Sequence, residues 1–385
     1  MPNIEVLTSS QQLEALAPEW QALFAETSLR TPSKSPLWQI GWWRHFGARP
    51  TLQCRHELRV FVLRDGDNRL IAVAPMMLTQ RPGFGPSLFS ELQFFGADPY
   101  VTQLRGPCCR REDLPAVTKA LVAHVAGCRQ ADFVQWRGMA PGFGEDIDPN
   151  CVRQPQLDDV DSYLVTRERW EDFHAALPKK TRKHLRKSQN DLKAAGIAYT
   201  FRVVTAPEAV PASLARFFEM HAIRASLKDV VQHPNVFKSP VSRAFLENYC
   251  EQMAQAGDLR LFEILVNDRI VATRIGFALG DETYYYFSGY EPEYGDYSIM
   301  TTLMAEALRW SHDNGVRIVN LSSGVDRSKT RFRPQFSTAE GFYTRGAGWR
   351  SNIALKIMQK LRYGGAEAPP PQDHAEEANE ECAGA

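Results

Sequence analysis

The alternation of apolar and polar residues predicts two β-hairpins, one in each half of the chain. The first runs through residues 58–61, turns at an Asp-Gly-Asp sequence and resumes at residues 70–73. The second runs through residues 259–262, turns at Asn-Asp and resumes at residues 270–273. Apolar and β-branched runs around Asn, Asp and Gly are typical of hairpins. The two lie about 200 residues apart, which suggests an internal repeat.

The elements around the hairpins repeat as well. A Ser-Pro pair, which places a capping serine before a proline in the first helical turn, opens a helical pattern at Ser35 and again at Ser239. Downstream, an amphipathic helix leads into a short strand over residues 114–134 and again over residues 299–319. Three matched elements in the same order predict a tandem duplicated α/β fold with mixed central sheets flanked by helices.

Local composition divides the chain into three parts. The stretch at residues 149–155 is polar and contains prolines, so we predict a first unit over residues 1–155 and a second over residues 156–363. Residues 364–385 contain six acidic residues and no Lys, Arg or aromatic residue. Such a segment cannot bury enough apolar surface to fold, so we predict a disordered acidic tail.

Overall composition narrows the class of protein. Lys+Arg and Asp+Glu are both 45, and a formal net charge of zero argues against a protein that coats DNA. The seven cysteines are odd in number and irregularly spaced, a pattern typical of free thiols in a reducing compartment. The sequence shows neither a signal-peptide pattern nor an apolar stretch as long as a membrane span. We therefore expect a cytoplasmic protein, and the sequence does not give its oligomeric state.

Positive charge is concentrated in residues 177–196, which hold seven Lys and Arg residues against one acid. A proline in the first turn and a glycine at the end predict a helix. Arg182 and Arg186 share one face of that helix and are candidates for binding phosphates of a coenzyme, a nucleotide-sugar or an RNA end. The alternative interpretation is a basic helix that is simply exposed to solvent.

His221 lies on the apolar stripe of a helix that is predicted to begin near residue 212, and Arg224 follows one turn later. A histidine at the edge of a cleft can act as a general base, because its pKa lies near the working pH. Arg224 would then be a substrate-binding residue. The alternative is a histidine packed and hydrogen-bonded in the core.

Residues 283–298 form a tyrosine-rich strand that leads into a turn and a helix N-terminus. Gly295 and Ser298 are candidates for binding a pyrophosphate there, because open backbone amides and the helix dipole favour negative charge. The hydroxyls of Tyr286 and Tyr290 could protonate a leaving thiolate or position a substrate. The alternative is that the tyrosine rings fill the core.

Residues 320–336 follow a predicted strand with a polar Ser-Ser-Gly loop and a run of cations. Asn320 at the strand end and Lys329 in the loop are candidate site residues, because polar side chains at strand ends commonly form sites in α/β sheets. A basic surface loop is the alternative. The chain has no motif for a metal, a nucleophile elbow or a nucleotide-binding glycine loop, so we expect no metal.

Together these residues resemble the GNAT-type acetyltransferase domain of bacterial cellulose-biosynthesis-type proteins. That family is related to the Fem-type aminoacyltransferases, which are tandem GNAT folds. The resemblance rests on motifs in both halves: Glu19-Trp20, Ser35-Pro36-Leu37-Trp38, Ala72-Val73-Ala74-Pro75, Phe217-Phe218-Glu219-Met220-His221 and Gly289-Tyr290-Glu291-Pro292-Glu293. The chain departs from the family pattern at Ser298-Ile299, where a Pro-Gly pair is usual, and at Asn320, where an acid is usual.

The resemblance implies an acyltransferase that moves an acetyl or longer acyl group from acyl-CoA to an amine or hydroxyl of a small-molecule or saccharide acceptor. Acyl-CoA would lie in a V-shaped opening with its pyrophosphate near Ser298, and His221, Tyr290 and Lys329 would surround the acceptor. Two alternatives remain open. One is a transferase that takes its acyl group from aminoacyl-tRNA, with the basic helix holding RNA, and the other is a non-catalytic scaffold in polysaccharide synthesis.

Overall fold

The computed structural model describes residues 2–97, 101–126, 129–143, 151–153, 157–166, 169–227 and 234–363. The predicted acidic tail, residues 364–385, lies outside the described residues.

The described residues form one mixed sheet of fourteen strands. In chain order these are β1 (Asn3–Leu7), β2 (Arg55–Arg64), β3 (Leu70–Arg81), β4 (Phe89–Phe94), β5 (Cys108–Cys109), β6 (Phe133–Met139), β7 (Cys151–Arg153), β8 (Asp159–Val165), β9 (Thr200–Val204), β10 (Leu259–Val266), β11 (Arg269–Leu279), β12 (Glu282–Tyr290), β13 (Ile318–Ser323) and β14 (Gln335–Arg345).

Helices cover the faces of this sheet. In chain order they are α1 (Ser10–Glu26), α2 (Pro36–Trp42), α3 (Leu114–Val125), α4 (Trp170–Ala176), α5 (Lys179–Ala194), α6 (Val210–Ser226), α7 (Pro240–Gln255), α8 (Ile299–Asp313), α9 (Arg327–Thr330) and α10 (Ser351–Tyr363).

Both predicted hairpins form. β2 pairs antiparallel with β3, and β10 pairs antiparallel with β11. The second turn places Asn267 and Asp268 at φ 49° and 61°, a left-handed conformation that Asn and Asp tolerate better than most residues. The serine that opens α2 also acts as predicted, since Ser35 Oγ accepts a hydrogen bond from the backbone amide of Trp38 at 3.2 Å.

The strand order confirms the duplicated fold. The sheet runs β1-β2-β3-β4-β6-β14-β8-β13-β12-β11-β10-β9, so the outer five strands at one end repeat in mirrored order at the other. In the first half β4 and β6 are parallel, and in the second half β12 and β13 are parallel. Each parallel pairing extends over only three residues, at 91–93 with 133–135 and at 282–284 with 318–320. Beyond these pairs the strands diverge.

The last strand belongs to the sheets of both halves. Residues 335–339 of β14 pair with β8, whereas residues 340–345 pair with β6 of the first half. The sheet is therefore continuous across the predicted boundary at residue 155, and the division into two units remains a prediction.

An aromatic core joins the two halves. The indole of Trp38 in α2 packs edge-on against Phe245 and Tyr249 of α7, each at 4.8 Å between ring centroids. Polar contacts reinforce this junction. The buried carboxylate of Glu282 accepts hydrogen bonds from the backbone amide of Arg30 at 2.7 Å and from the Arg317 guanidinium at 2.9 Å.

A glycine in β6 lets another segment of the first half approach closely. A Cβ atom on Gly138 of β6 would lie 2.2 Å from the carbonyl oxygen of Arg105 and 2.9 Å from the Cα of Gly106. Only glycine fits this approach, and φ at Gly138 is 64°. The segment around residue 105 therefore packs directly against β6.

Candidate active site

The opening between β12 and β13 is called the cleft below. Tyr284 and Asn320 are the last pair that the two strands make. A β-bulge in β12, where the register against β11 shifts between Arg274 and Gly276, lies just beyond that pair. Diverging strands leave backbone groups without ladder partners, so a cleft of this kind can offer amides to a substrate carbonyl.

A buried carboxylate lies at the base of the cleft. Asp161 of β8 accepts a hydrogen bond from Asn320 Nδ2 at 2.6 Å, and Asn320 Oδ1 accepts one from the backbone amide of Ser322 at 2.8 Å. Burial raises the pKa of Asp161 to about 6, against the opposing effects of Asn320 and of the cations Lys34 and Lys329. A carboxylate of the neighbouring strand thus lies beside Asn320.

Lys329 closes one side of the cleft. The β13 strand extends past the predicted end at Asn320 to Ser323, and the chain then turns back through α9. The Lys329 ammonium donates hydrogen bonds to the carbonyl oxygens of Ser322, at 3.3 Å, and Ser323, and pairs with Asp326 at 3.5 Å. Burial lowers its pKa, which Asp326 partly offsets. Lys329 therefore fixes the loop after β13 and places a positive charge beside Asp161.

Two arginines line the β12 side. Arg224 Nη1 donates a hydrogen bond to Ser288 Oγ at 3.2 Å, and its guanidinium lies 6.0 Å from the centre of the Tyr290 ring. Arg274 stacks over the Tyr285 ring at 5.7 Å, and burial lowers its pKa to about 10. The predicted residues Arg224 and Tyr290 are thus in contact with each other, and Tyr290 is half-buried.

His221 is buried among aromatic rings. It is 4% exposed, and its ring packs against Phe237 and Phe287 at 5.2 Å and 5.4 Å between centroids. Gly289 of β12 makes this possible, because a Cβ there would lie 2.9 Å from Met220 Cβ and 3.0 Å from the His221 backbone nitrogen. The role of His221 as general base remains a prediction.

Tyr286 points to the first half. Its hydroxyl donates a hydrogen bond to the backbone carbonyl of Val101, and its ring lies 5.7 Å from the Trp38 ring. The neighbouring Tyr284 hydroxyl likewise donates to Gln103 Oε1 at 2.7 Å. Both rings are buried, so these tyrosines help to fill the core as well. The proposed acid role of Tyr286 remains a prediction.

Helix α8 begins at the mouth of the cleft. Ser298 precedes it, as predicted, but takes a left-handed conformation with φ 54° and ψ 41°, and its side chain makes no capping hydrogen bond with the described residues. The Ser298 amide instead bonds to the Gly295 carbonyl at 2.9 Å. The first amides of a helix have no intrahelical acceptor, so this end of α8 suits an anion.

The predicted basic helix is α5, and it packs beside α8. Thr181 Oγ1 donates to the Arg331 carbonyl at 3.0 Å, and the Arg331 guanidinium donates to Thr301 Oγ1 in the first turn of α8 at 3.2 Å. Arg182 is half-buried, and its buried Nε has no hydrogen-bond partner among the described residues. Arg186 is exposed. Arg331 therefore places a positive charge at the N-terminus of α8, which fits a pyrophosphate.

The sequence interpretation missed Asp161 and the nearby Lys34 of the first half, and it placed Arg331 only within the run of cations at residues 320–336. For Asp161 the only signal was two acids at alternating positions in an otherwise strand-like run, residues 159–165. The described residues hold no group of three or more His, Cys, Asp or Glu that could bind a metal ion. Within the same residues, every helix falls short of the length or apolarity that crossing a membrane requires.

Residues 179–330 match the family model of the acetyltransferase (GNAT) domain. That range contains α5, the cleft strands β12 and β13, α8 and Lys329. The fold is of the GNAT type.

Solved structures with a similar fold cover nearly the whole chain. The GNAT-type fold of this chain superposes on the crystal structure of FemX with a TM-score of 0.56 at 10% identity, covering 93% of this chain and 100% of FemX. The C-terminal domain of a protein assigned as a lysylphosphatidylglycerol synthetase from Agrobacterium fabrum gives 0.50 at 12% identity, covering 92% and 98%. A search of curated protein sequences finds no match.

Proposed function

We propose that the chain is an acyltransferase that moves an acetyl or longer acyl group from acyl-CoA to an amine or hydroxyl of a small-molecule or saccharide acceptor. One observation carries the proposal: β12 and β13 separate after three paired residues, and the cation-rich N-terminus of α8 lies at the mouth of the opening. The match of residues 179–330 to the acetyltransferase (GNAT) domain supports it.

The donor's phosphates would be held by α8 and its neighbours. The first-turn amides of α8 supply hydrogen-bond donors, and Arg331 and Arg182 supply charge. Arg182 of the neighbouring helix α5 stays a predicted phosphate-binding residue, and its buried Nε has no hydrogen-bond partner among the described residues. Bound acyl-CoA supplies the activated thioester carbonyl.

The acceptor must lose a proton as it attacks the carbonyl, and Asp161 is our first candidate to receive it. A carboxylate with a pKa of about 6 is ionised at neutral pH and still accepts a proton more readily than an exposed one. Asn320 and Lys329 would hold Asp161 in its ionised form. His221, directly or through a water molecule, is the second candidate base.

Protonation of the leaving thiolate needs an acid near the carbonyl. Tyr290 is the candidate that the contacts favour, because it is half-buried at the cleft and lies beside the Arg224 guanidinium. Arg224 would also bind the acceptor.

Isothermal titration of acetyl-CoA and longer acyl-CoAs into the purified protein tests the donor site. We expect binding that weakens by about tenfold in Arg331→Ala, since a charged hydrogen bond to phosphate contributes about 1.5–3 kcal/mol. Ser298→Pro should abolish binding, because proline cannot adopt φ 54°. Lys180→Ala, which removes an exposed cation of α5, and Ser298→Gly are the matched controls. Absence of heat with every thioester would refute acyl-CoA as donor.

The exposed face of α5 favours a second candidate, transfer from aminoacyl-tRNA. Its exposed cations are Lys179, Lys180, Lys183, Arg186, Lys187 and Lys193, of which Lys187 pairs with Asp191. A face of this charge suits an RNA backbone, and binding through several phosphates would fall steeply with added salt. Filter binding of aminoacyl-tRNA, measured between about 50 and 200 mM salt, would distinguish the two donors.

A further inference from the structure

Large apolar side chains are exposed together on three segments. Two are loops of the first half, and the third contains the C-terminal helix. Trp349 is 82% exposed and Leu52 is 83% exposed. Four others are at least half exposed, namely Phe84, Leu88, Ile353 and Ile357. These six residues are called the apolar face below. Such a group on one surface marks an interaction site, whereas single exposed apolar residues do not.

The three segments lie against one another. Gly83 donates its amide to the carbonyl of Leu52 at 3.2 Å, which joins the loop before β2 to the loop between β3 and β4. The Arg350 guanidinium donates to the carbonyl of Leu88, which joins the same loop to the start of α10. Trp349 and Ser87 line one shallow depression on this surface.

The packing of helix α10 against the sheet determines which of its side chains face outward. Leu355 is 2% exposed and packs in a small core with Phe133 and Tyr343. Ile353, Lys356, Ile357 and Lys360 are exposed and recur at helical spacing on one stripe. The outer surface of α10 therefore alternates apolar and cationic side chains while its inner surface is anchored to the sheet.

The three segments that carry the apolar face contain cations and no acids. Residues 49–55, 81–90 and 345–363 contain no acidic residue. Their exposed cations are Arg49, Arg345, Arg350, Lys356 and Lys360, and Arg129 borders the depression. Asp132 also lines the depression, but its carboxylate accepts hydrogen bonds from the Ser90 amide, at 2.7 Å, and hydroxyl.

We propose that the apolar face docks the protein on an anionic lipid surface, with α10 lying in the plane of the interface. Exposed apolar side chains enter the boundary between headgroups and acyl chains, while Lys and Arg beside them attract anionic headgroups. A nucleic acid would use the cations but not the exposed aliphatic side chains Ile353 and Ile357. This proposal does not depend on the acyl-transfer reaction.

Flotation of the full chain with vesicles tests it. We compare vesicles of pure phosphatidylcholine with vesicles that contain phosphatidylglycerol, at low and high ionic strength. Binding is expected only to the anionic vesicles and should weaken as salt is added. The double variant Lys356→Gln/Lys360→Gln should bind about 25-fold more weakly, since each lysine near an anionic surface contributes about fivefold. Ile353→Ser/Ile357→Ser should lose binding by at least about tenfold.

Matched controls separate docking from general charge or hydrophobicity. Lys238 and Val241 are an exposed cation and an exposed apolar residue outside the apolar face. Lys238→Gln/Val241→Ser should bind as the parent does. Should the double isoleucine variant melt at a lower temperature, the single variant Trp349→Ser replaces it, because an 82% exposed side chain contributes little to folding.

Three results would overturn the proposal. The first is failure of the parent protein to float with anionic vesicles at low salt. The second is loss of binding by the control variant to the same degree as by the variants of the apolar face. The third is a concentration-dependent dimer, seen by sedimentation, that the same substitutions break while lipid binding is absent. That result would assign the face to a second copy of the chain. Acyl-CoA binding should be equal in all these variants, so failure of docking is distinguishable from failure of the proposed activity.

Discussion

Asp161→Asn should make the protein more stable at neutral pH and inactive. The carboxylate is buried at the base of the cleft, and burial raises its pKa to about 6 from an ordinary value of 3.8. That difference corresponds to about 3 kcal/mol by which ionised Asp161 destabilises the folded state. Asparagine has no charge to bury and can still accept the hydrogen bond from Asn320.

The pH dependence gives the sign of the effect. A carboxyl group whose pKa is raised by folding stabilises the folded state below its unfolded pKa, and this stabilisation is lost as pH rises through the folded pKa. The window therefore runs from about pH 4 to about pH 6 for Asp161. The advantage of Asp161→Asn should be largest at pH 8 and about 1.4 kcal/mol smaller at pH 5.

Urea unfolding at pH 5 and pH 8 measures both quantities. Asp172→Asn is the matched control, because Asp172 is exposed and pairs only with Arg169 in the described residues. It should change the free energy of unfolding by less than about 0.5 kcal/mol at either pH. If Asp161→Asn proves less stable than the parent at pH 8, or the gap does not narrow at pH 5, the burial argument is wrong. If Asp161 is the base, kcat/KM should also fall by about 10²–10⁴-fold.

Three further substitutions test other parts of the structure. Lys329→Met removes a cation that lowers the pKa of Asp161, so the acidic limb of the kcat/KM profile should move to higher pH. If the limb does not move, Lys329 does not influence the pKa of the base. Glu282→Ala leaves the Arg30 amide and Arg317 without their carboxylate, and urea unfolding should show a loss of about 2–4 kcal/mol, with Glu293→Ala, an exposed acid, as control. Gly289→Ala adds a methyl group 2.9 Å from Met220 Cβ, and should cost about 1–3 kcal/mol by the same assay; a neutral result would mean that α6 can move away from β12.

The local features of the fold could be predicted from the sequence. The turns at Asn267 and Asp268 and the Ser35 cap depend on a few neighbouring residues, and their repetition in both halves predicted the duplication. The basic character of α5 and the helix start after Ser298 were also readable, because charge and helix signals are local.

The candidate site was harder to predict, because it depends on contacts between distant segments. Asp161 is buried only because β14, which follows it by more than 170 residues, covers β8 on one side while β13 covers the other. An acid in a strand-like run gives no sign of such partners. Similarly, the pattern around Tyr286 did not reveal that its hydroxyl would reach Val101 of the other half.

The strand β14 also affects how the chain is synthesised. Because residues 340–345 complete the sheet of the first half, β6 emerges from the ribosome with an unpaired edge and keeps it until almost all of the chain has been translated. Unpaired strand edges recruit other strands, so a nascent chain in this state is prone to misassembly and is a natural substrate for chaperones. If the chain were divided near residue 155, that edge of β6 would stay unpaired until the second polypeptide bound the first.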